Sequence, residues 1–319
     1  LRAKTVEAAI KSLKKDLGDD IITPLSEVPE VAYIPTRLLS VNHAIGLGGI
    51  PIGLVTELIG GEGCGKTTLA LSIAADAIRA GYPTLYIDLE GKVRQAYAAK
   101  LGVPDTLELC RPANGDQAMM VADKMIEAEA YKLVIIDSVA LLSAGAECEK
   151  GITESNMMTT ARLLSQSMKR LMPKCRIHKC ALLFINQYRQ SPTMYGNPNK
   201  PSGGLALQYA SSLTLEMRDG KPIRRNGASI GKGVTLKVTK NQVGMPSAEC
   251  ELTMLFGSGF DDVSDLFETA ITVGALELKG SWVAFNGENI VQGRENCIDI
   301  MRENAELFES IKKSTLERL

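Results

Sequence analysis

The chain has 319 residues, 45% of them hydrophobic, and a formal net charge of −1. This length predicts one large domain with a sizeable core and a smaller second domain. No apolar run approaches the ~20 residues that cross a bilayer, and the first residues lack the order of a signal peptide. We therefore expect a cytoplasmic protein.

Basic residues are concentrated in one segment of the chain. Between residues 156 and 240 there are 15 Lys or Arg and two acidic residues, whereas the rest of the chain has 21 basic and 35 acidic residues. A solvated surface is the ordinary interpretation of a charged run. So uneven a distribution in an otherwise acidic protein favours a polyanionic partner.

The first predicted element is an amphipathic helix over residues 5–17, in which apolar side chains recur at helical spacing and which Gly18 ends. A proline-containing linker follows. The helix could pack on its own core or on a neighbouring subunit, and the sequence leaves both arrangements open.

Residues 54–68 have the pattern of a buried strand, a glycine-rich turn and the first turn of a helix, which is the order of a phosphate-binding P-loop. Glycines permit positive φ and turn backbone N–H groups inward, Lys66 can reach the outer phosphates, and Thr67 can ligate Mg²⁺. A chance glycine turn is the alternative, and the flanking strand and helix disfavour it. The predicted nucleotide-binding residues are Gly60, Gly61, Glu62, Gly63, Cys64, Gly65, Lys66, Thr67 and Thr68.

Two later strands end in carboxylates. Residues 82–90 form a β-rich run that delivers Asp88 and Glu90, which are candidates to activate an attacking water unless both are merely solvated acids. Residues 132–137 are apolar until Asp137, which we expect to hold Mg²⁺. Helices are predicted over residues 94–101 and 115–129. Strands that alternate with helices imply an α/β fold with a parallel sheet covered on both faces.

A helix beginning near residue 157 has an apolar stripe and an opposite polar stripe. Arg162, Ser165 and Lys169 follow i, i+3, i+7 spacing, so two cations and a hydroxyl align as phosphate contacts require. A solvated helix face is the alternative.

A third core strand, residues 179–187, is followed by an aperiodic loop over residues 188–204. Loops of this length are usually functional or disordered, and this one mixes cations with aromatic residues, which suits single-stranded nucleic acid. Gln187, at the junction, could sense a γ-phosphate and pass its presence to the loop.

The remaining sequence predicts more sheet and a small acidic domain. β runs cover residues 212–217, 234–240 and 248–255. Residues 218–227, between the first two runs, are basic and rich in turn formers. After residue 259 we expect a small α/β domain with a strand at residues 281–285 and mostly helical residues 288–319. The predicted domains are residues 1–36, 37–257 and 258–319.

With these elements in place, the sequence resembles the bacterial-type RecA recombinases over nearly its whole length. The stretches that carry the resemblance are residues 60–68, 87–90, 133–142, 161–171, 184–187, 194–198 and 282–293, together with the opening helix and residues 39–53. The resemblance implies a RecA-type P-loop NTPase core with a mostly parallel central sheet, preceded by a helix and linker that contact the next protomer. It also implies a cytoplasmic DNA-dependent ATPase of DNA repair and the SOS response, which requires Mg²⁺ and forms helical filaments.

The resemblance also assigns roles to individual residues. Glu90 matches the catalytic carboxylate, Gln187 the phosphate-sensing glutamine, and Tyr97 the aromatic residue that stacks on adenine. Where the family has two lysines that reach the neighbouring protomer's ATP, this chain has Lys240 and Gln242. Residues 147–156 and 188–204 match two DNA-binding loops. The implied DNA-binding residues are Arg162, Ser165, Lys169, Arg189, Met194, Tyr195, Lys200, Gly203, Gly204, Arg218 and Lys237.

The predicted function is an ATP-dependent recombinase that coats single-stranded DNA and exchanges strands with homologous double-stranded DNA. One alternative is a regulatory filament protein that binds ATP and DNA without strand exchange. Another is a ring-forming helicase-type motor with a related core. A strand-exchange assay would separate the first alternative, and rings instead of open filaments would support the second.

Overall fold

The computed structural model describes residues 2–18, 21–142, 157–190, 199–225, 227–246 and 248–319. The chain divides into two compact units, residues 1–32 and residues 33–319. The first unit contains helix α1 (Arg2–Leu17), which confirms the predicted opening helix. No helix of the described ranges is both long and apolar enough to cross a membrane.

The second unit begins with a short two-stranded sheet. Strand β1 (Tyr33–Pro35) pairs antiparallel with β2 (Gly49–Pro51), so residues 33–35 belong to this unit although the predicted linker extends to residue 36. Gly49 allows the close approach of the two strands, because a Cβ at this position would lie 1.9 Å from the carbonyl oxygen of Ile34.

A ten-stranded sheet forms the body of this unit. Its strands are β3 (Val55–Gly60), β4 (Thr84–Asp88), β5 (Glu108–Cys110), β6 (Leu133–Asp137), β7 (Ala181–Gln190), β8 (Asn199–Pro201), β9 (Leu213–Arg225), β10 (Ala228–Asn241), β11 (Glu249–Leu255) and β12 (Gly259–Phe260). The order is β12-β11-β10-β9-β3-β7-β6-β4-β5, with β8 paired to β7 outside this path. The strands from β9 to β5 are parallel, and β10 to β12 continue the sheet antiparallel. The predicted mostly parallel sheet is therefore confirmed.

Helices cover both faces of the sheet, as predicted. The helices of this region are α2 (Leu39–Ile45), α3 (Lys66–Arg79), α4 (Gln95–Lys100), α5 (Gly115–Glu127), α6 (Met157–His178) and α7 (Leu205–Ala210). Successive strand residues face opposite cores, because side chains alternate along a strand. Ile135 packs in the core that contains α3, and Ile136 packs in the core that contains α5 and α6.

Helix α6 continues through Pro173, beyond the stripe that predicts it. A proline inside a helix removes one hydrogen bond and costs about 3 kcal/mol. Cys175, beyond the proline, is fully buried, and Lys174 forms ion pairs at 2.8 Å with both Asp123 and Glu127 of α5. We infer that packing against α5 offsets the proline, which no local pattern in the sequence reveals.

Two predicted loops contain strand residues. Residues 188–190 extend β7 and pair with β8, so the two ends of the predicted loop 188–204 form an antiparallel ribbon. Residues 218–225 extend β9 and pair with β10 in a long hairpin, although they read as turns. Gly220 permits close contact between the strands rather than a turn, since a Cβ at this position would lie 2.9 Å from the backbone of Gly233.

The last part of the chain forms the predicted small α/β domain. Its elements are α8 (Asp262–Thr272), β13 (Leu276–Lys279), β14 (Trp282–Phe285), β15 (Glu288–Gln292), α9 (Arg294–Glu303) and α10 (Ala305–Leu316). The strands form an antiparallel sheet in the order β13-β14-β15. Residues 288–319 are mostly helical, as predicted, although the range begins with strand β15, which pairs with β14.

Candidate functional site

The turn between β3 and α3 is a glycine cradle. Gly63 and Gly65 have φ values of 75° and 96°, a region that favours glycine. A Cβ on Gly60 would lie 2.4 Å from the carbonyl oxygen of Met217, so the backbone is packed too closely there for a side chain. The turn leads directly into a 14-residue helix, whose N-terminus favours anions. This geometry fits a bound phosphate group.

Lys66 begins the helix and directs its ammonium group into the cradle. Its side chain is buried, and Nζ lies 3.1 Å from the carbonyl oxygen of Gly60 and 2.5 Å from that of Gly61. These carbonyl groups hold the ammonium at the mouth of the turn, where phosphate oxygens could replace them as acceptors.

Thr67 and Asp137 bring two oxygen ligands together. The Thr67 hydroxyl donates to Oδ2 of Asp137 at 2.8 Å, and the Tyr86 hydroxyl donates to the same oxygen at 2.8 Å. Burial raises the pKa of Asp137 despite these two hydrogen bonds. A hydroxyl and a carboxylate at the end of a buried strand are hard oxygen donors, which fit Mg²⁺.

The structure separates the roles of Asp88 and Glu90. Asp88 is buried, and its carboxylate accepts backbone N–H groups of Lys92 at 3.3 Å and Val93 at 3.1 Å. It therefore fastens the loop that follows β4. Glu90 lies in this loop and lines a cleft, so it remains the candidate for activating water.

Three side chains hold the Glu90 carboxylate. Oε1 accepts the Ser138 hydroxyl at 2.8 Å and Nε2 of Gln187 at 3.2 Å, while Oε2 lies 2.7 Å from Nζ of Lys92. Burial favours the neutral acid, but the hydrogen bonds from Lys92 and Ser138 outweigh it and lower the pKa of Glu90. The group is therefore ionised at neutral pH.

These residues share one cleft with a volume of about 320 Å³. Its lining residues are Glu62, Gly63, Gly65, Lys66, Thr67, Thr68, Glu90, Lys92, Asp137, Ile185 and Gln187. A larger cleft of about 670 Å³ lies near Arg37 and Asp76, but these two side chains are already paired at 2.9 Å. The smaller cleft is the candidate active site, because it unites the phosphate cradle with the strand-end carboxylates.

Sequence reasoning missed two members of this site, Lys92 and Ser138, which contact Glu90 from different loops. Ser138 directly follows the predicted Asp137, and Lys92 lies two residues after Glu90. Their closeness in sequence to these predicted residues is the signal by which they could have been found. Tyr97, predicted to stack on adenine, lies beside the site, and its hydroxyl is 2.7 Å from the Thr68 hydroxyl. It does not line the cleft.

Three of the predicted DNA-binding residues occupy one helix face. Arg162 and Lys169 of α6 are exposed, and Ser165 between them is partly exposed. Gly203 packs against the same helix, because a Cβ there would lie 2.3 Å from the Leu164 side chain. Gly204 also has positive φ and adjoins the helix. The end of the predicted second loop therefore contacts α6.

The other predicted DNA residues lie on strands or outside the described ranges. Arg189 and Lys200 are opposite each other in the β7–β8 ribbon. Met194 and Tyr195, like the predicted first loop, lie outside the described residues. Arg218 is paired with Glu216 at 2.9 Å, and Lys237 stands opposite Glu216 in the hairpin.

Lys240 is held away from the cleft of its own chain. Its ammonium donates to the carbonyl oxygens of Gln208 at 2.7 Å and Tyr209 at 3.4 Å, at the end of α7. Among the described residues Lys240 forms no ion pair with a carboxylate, and the nearby Glu251 instead accepts the Thr235 hydroxyl at 2.6 Å.

The parallel sheet, the glycine cradle with its lysine, and the strand-end carboxylates define the class of P-loop nucleoside triphosphatases. The model of the RecA N-terminal domain matches residues 4–261, and that of the RecA C-terminal domain matches residues 264–319. The protein RecA of Thermus aquaticus is 38% identical over 99% of this chain and 95% of its own length. The proteins RecA of Aquifex pyrophilus and Bacteroides thetaiotaomicron are 36% and 34% identical, over 99% and 100% of this chain and 92% and 98% of their own lengths.

The chain belongs to the RecA family. It is a recombinase and a DNA-dependent ATPase, as the sequence predicts, and the comparisons do not favour the regulatory filament protein or the ring-forming motor. Membership of this family implies that the protein binds nucleotide and DNA.

Proposed function

We propose that the protein hydrolyses ATP with Mg²⁺ in the cleft between the glycine cradle and the ends of β4, β6 and β7, and uses the bound triphosphate to control its grip on DNA. The observation that carries this proposal is the 3.2 Å hydrogen bond from Gln187 to Glu90. This hydrogen bond joins Glu90, the candidate base, to Gln187, which directly precedes the β7–β8 ribbon. One side-chain contact therefore links the site of ATP hydrolysis to a proposed DNA-binding segment.

Each group in the cleft then has one task. The glycine N–H groups and Lys66 bind the phosphates, and Glu90 orients and deprotonates the attacking water. Thr67 and Asp137 would hold Mg²⁺. When bound, this ion neutralises charge on the phosphates and the leaving group. Gln187 donates either to Glu90 or to a γ-phosphate oxygen, so it can report whether the triphosphate is intact.

The α6 face is the proposed contact for the backbone of single-stranded DNA. Lys169 is exposed, and among the described residues it forms no ion pair, whereas the adjacent Arg170 is paired with Asp123 at 2.7 Å. If a lysine that contacts a phosphate is removed, fewer counterions are released on binding, so both the affinity and its salt dependence decrease.

We expect Lys169→Gln to lower affinity for single-stranded DNA several-fold and to reduce the salt slope of binding by about 0.7. Arg170→Gln is the matched control on the same helix and should leave both quantities close to the parental values. Fluorescence anisotropy of a labelled oligonucleotide over a series of salt concentrations measures both. Equal effects of the two substitutions would contradict the assignment of this face.

We expect Gln187→Ala to bind ATP and to bind DNA weakly, but to lose the rise in DNA affinity that ATP causes, because the link between the phosphates and the ribbon is removed. The measurement is oligonucleotide affinity with ATPγS and with ADP. If the parent protein binds DNA equally with both nucleotides, the proposed switch does not exist.

Assembly on DNA is the broadest test of the proposal. Electron micrographs with single-stranded DNA and ATPγS should show extended helical filaments, and a strand-exchange assay with homologous double-stranded DNA should give joint products. Closed rings would support a motor, and filaments without exchange would support a regulatory protein.

A further inference from the structure

Lys92 is a cation of the active-site cleft that the assigned roles do not use. It lies two residues after Glu90, and its ammonium is 2.7 Å from Oε2 of that carboxylate. The Lys92 side chain is 71% exposed, whereas that of Glu90 is 11% exposed. Both line the cleft together with Lys66. The cleft therefore has one cation fixed in the glycine cradle and another on its open side.

The loop that carries Lys92 is fastened at its base. The buried Asp88 carboxylate accepts the backbone N–H of Lys92, and the backbone N–H of Leu89 donates to the carbonyl oxygen of Asp137 at 2.7 Å. Arg111 also lies near Asp88, at 3.6 Å. The backbone position of Lys92 is thus set by the strand ends, and its flexible side chain decides which anion the ammonium contacts.

The two oxygens of Glu90 have different partners. Oε1 accepts from Ser138 and Gln187, which position the carboxylate within the cleft. Oε2 is paired with Lys92. A water attacking a phosphate needs an acceptor oxygen on Glu90, and Oε2 can serve once the ammonium leaves it. The same cleft supplies a competing anion when a triphosphate occupies the cradle, because its outer oxygens carry more charge than one carboxylate.

We propose that Lys92 is a second phosphate-binding cation, which pairs with Glu90 in this structure and transfers to the outer phosphates of a bound nucleoside triphosphate, leaving Oε2 free for the attacking water. This inference rests on the proposed function of the cleft. It makes Lys92 specific for the triphosphate, since the exchange needs an anion at the outer end of the nucleotide. The Lys92 ammonium is mostly exposed, so water can solvate it during the transfer, and Oε1 of Glu90 keeps its hydrogen bond from Ser138.

The test is a comparison of ATPγS and ADP affinities by calorimetry in the presence of Mg²⁺. Lys92→Met removes the charge but keeps a side chain of similar length. It should lower the affinity for ATPγS about 5- to 50-fold and leave the affinity for ADP within about twofold of the parental value, because a charge-assisted contact to the outer phosphates is lost. Lys92→Arg should keep most of the triphosphate preference. The matched control is Lys174→Met, which removes a lysine paired with Asp123 and Glu127 outside the cleft.

A second variant makes the exchange itself visible. Glu90→Gln removes the carboxylate that competes with the phosphates for the Lys92 ammonium, so it should increase the affinity for ATPγS. Adding Lys92→Met to Glu90→Gln should then reduce this affinity by a larger factor than Lys92→Met does in the parent protein. This double-mutant cycle measures the coupling between Glu90 and Lys92 in ATPγS binding and does not depend on hydrolysis. Thermal unfolding of each variant confirms that it is folded.

The outcomes separate this inference from the function on which it rests. If Lys92→Met leaves the ratio of ATPγS to ADP affinities unchanged, or lowers both affinities equally, Lys92 is only a partner of Glu90 and the inference is wrong. The same conclusion follows if Lys92→Arg loses the preference as completely as Lys92→Met. If instead the parent protein binds neither nucleotide, the proposed function of the cleft fails.

Discussion

Glu90→Gln should hydrolyse ATP about 10²–10⁴ times more slowly than the parent while still binding ATP and single-stranded DNA, because it removes the base and leaves the phosphate cradle intact. Gln has nearly the same shape as Glu and can still accept the Ser138 hydroxyl, which is 2.8 Å from Oε1 of Glu90. The measurement is phosphate release with saturating DNA, accompanied by calorimetric titration with ATPγS.

Glu127→Gln is the control for this prediction. Glu127 also has a lysine partner, Lys174 at 2.8 Å, and this hydrogen bond lowers the pKa of Glu127, but the residue lies on α5 outside the cleft. Its substitution should leave hydrolysis within about twofold of the parental rate. Parental hydrolysis by Glu90→Gln would show that another group activates the water.

The main features of the fold follow from contiguous sequence patterns. The glycine turn between a buried strand and a helix, and Asp137 at the end of an apolar run, are local patterns that directly report phosphate and metal chemistry. Because parallel strands bring their carboxyl ends to one edge, β3, β4, β6 and β7 had to place these groups together. The cleft is therefore predictable as a location, and the structure supplies the contacts within it.

The residue pattern alone left both Asp88 and Glu90 as candidates, and only the resemblance to the RecA family selected Glu90. Asp88 ends β4 and Glu90 lies two residues later, and only the loop conformation directs backbone N–H groups onto the first carboxylate and the second carboxylate into the cleft. Ser138 was missed because its contact with Glu90 joins two loops through space, and Lys92 was missed because only the conformation of the loop after β4 brings its ammonium to the Glu90 carboxylate.

The β9–β10 hairpin shows a different limit of sequence reasoning. Its glycines and proline resemble turn formers, but cross-strand pairing decides the conformation, and register shifts beside Gly231 and Val234 accommodate the irregular residues. The strand conformation also places Arg218 beside Glu216, two residues earlier, and the cross-strand pairing places Lys237 opposite the same glutamate. Neither feature follows from residues read in order.

Lys240→Ala should abolish DNA-stimulated ATP hydrolysis and weaken cohesion between protomers, while isolated subunits still bind nucleotide. The Lys240 ammonium is held by carbonyl groups at the end of α7, and Lys240 is not among the residues that line the cleft of its own chain. A role in hydrolysis therefore requires the cleft of a neighbouring protomer. Cations delivered across such an interface are worth about 10³–10⁵ in rate, and Gln242 offers no second charge.

Mixing two inactive variants tests this assignment across the interface. Lys66→Ala removes the cation from the glycine cradle, and Lys240→Ala removes the cation proposed to reach the neighbour, so the two defects lie on opposite sides of one head-to-tail contact. In mixed filaments some interfaces pair an intact cradle with an intact Lys240, and ATP hydrolysis should partly recover there. The assay is phosphate release from filaments shown by differential labelling to contain both variants. If co-assembled filaments remain as inactive as either variant alone, Lys240 does not act on the neighbouring active site.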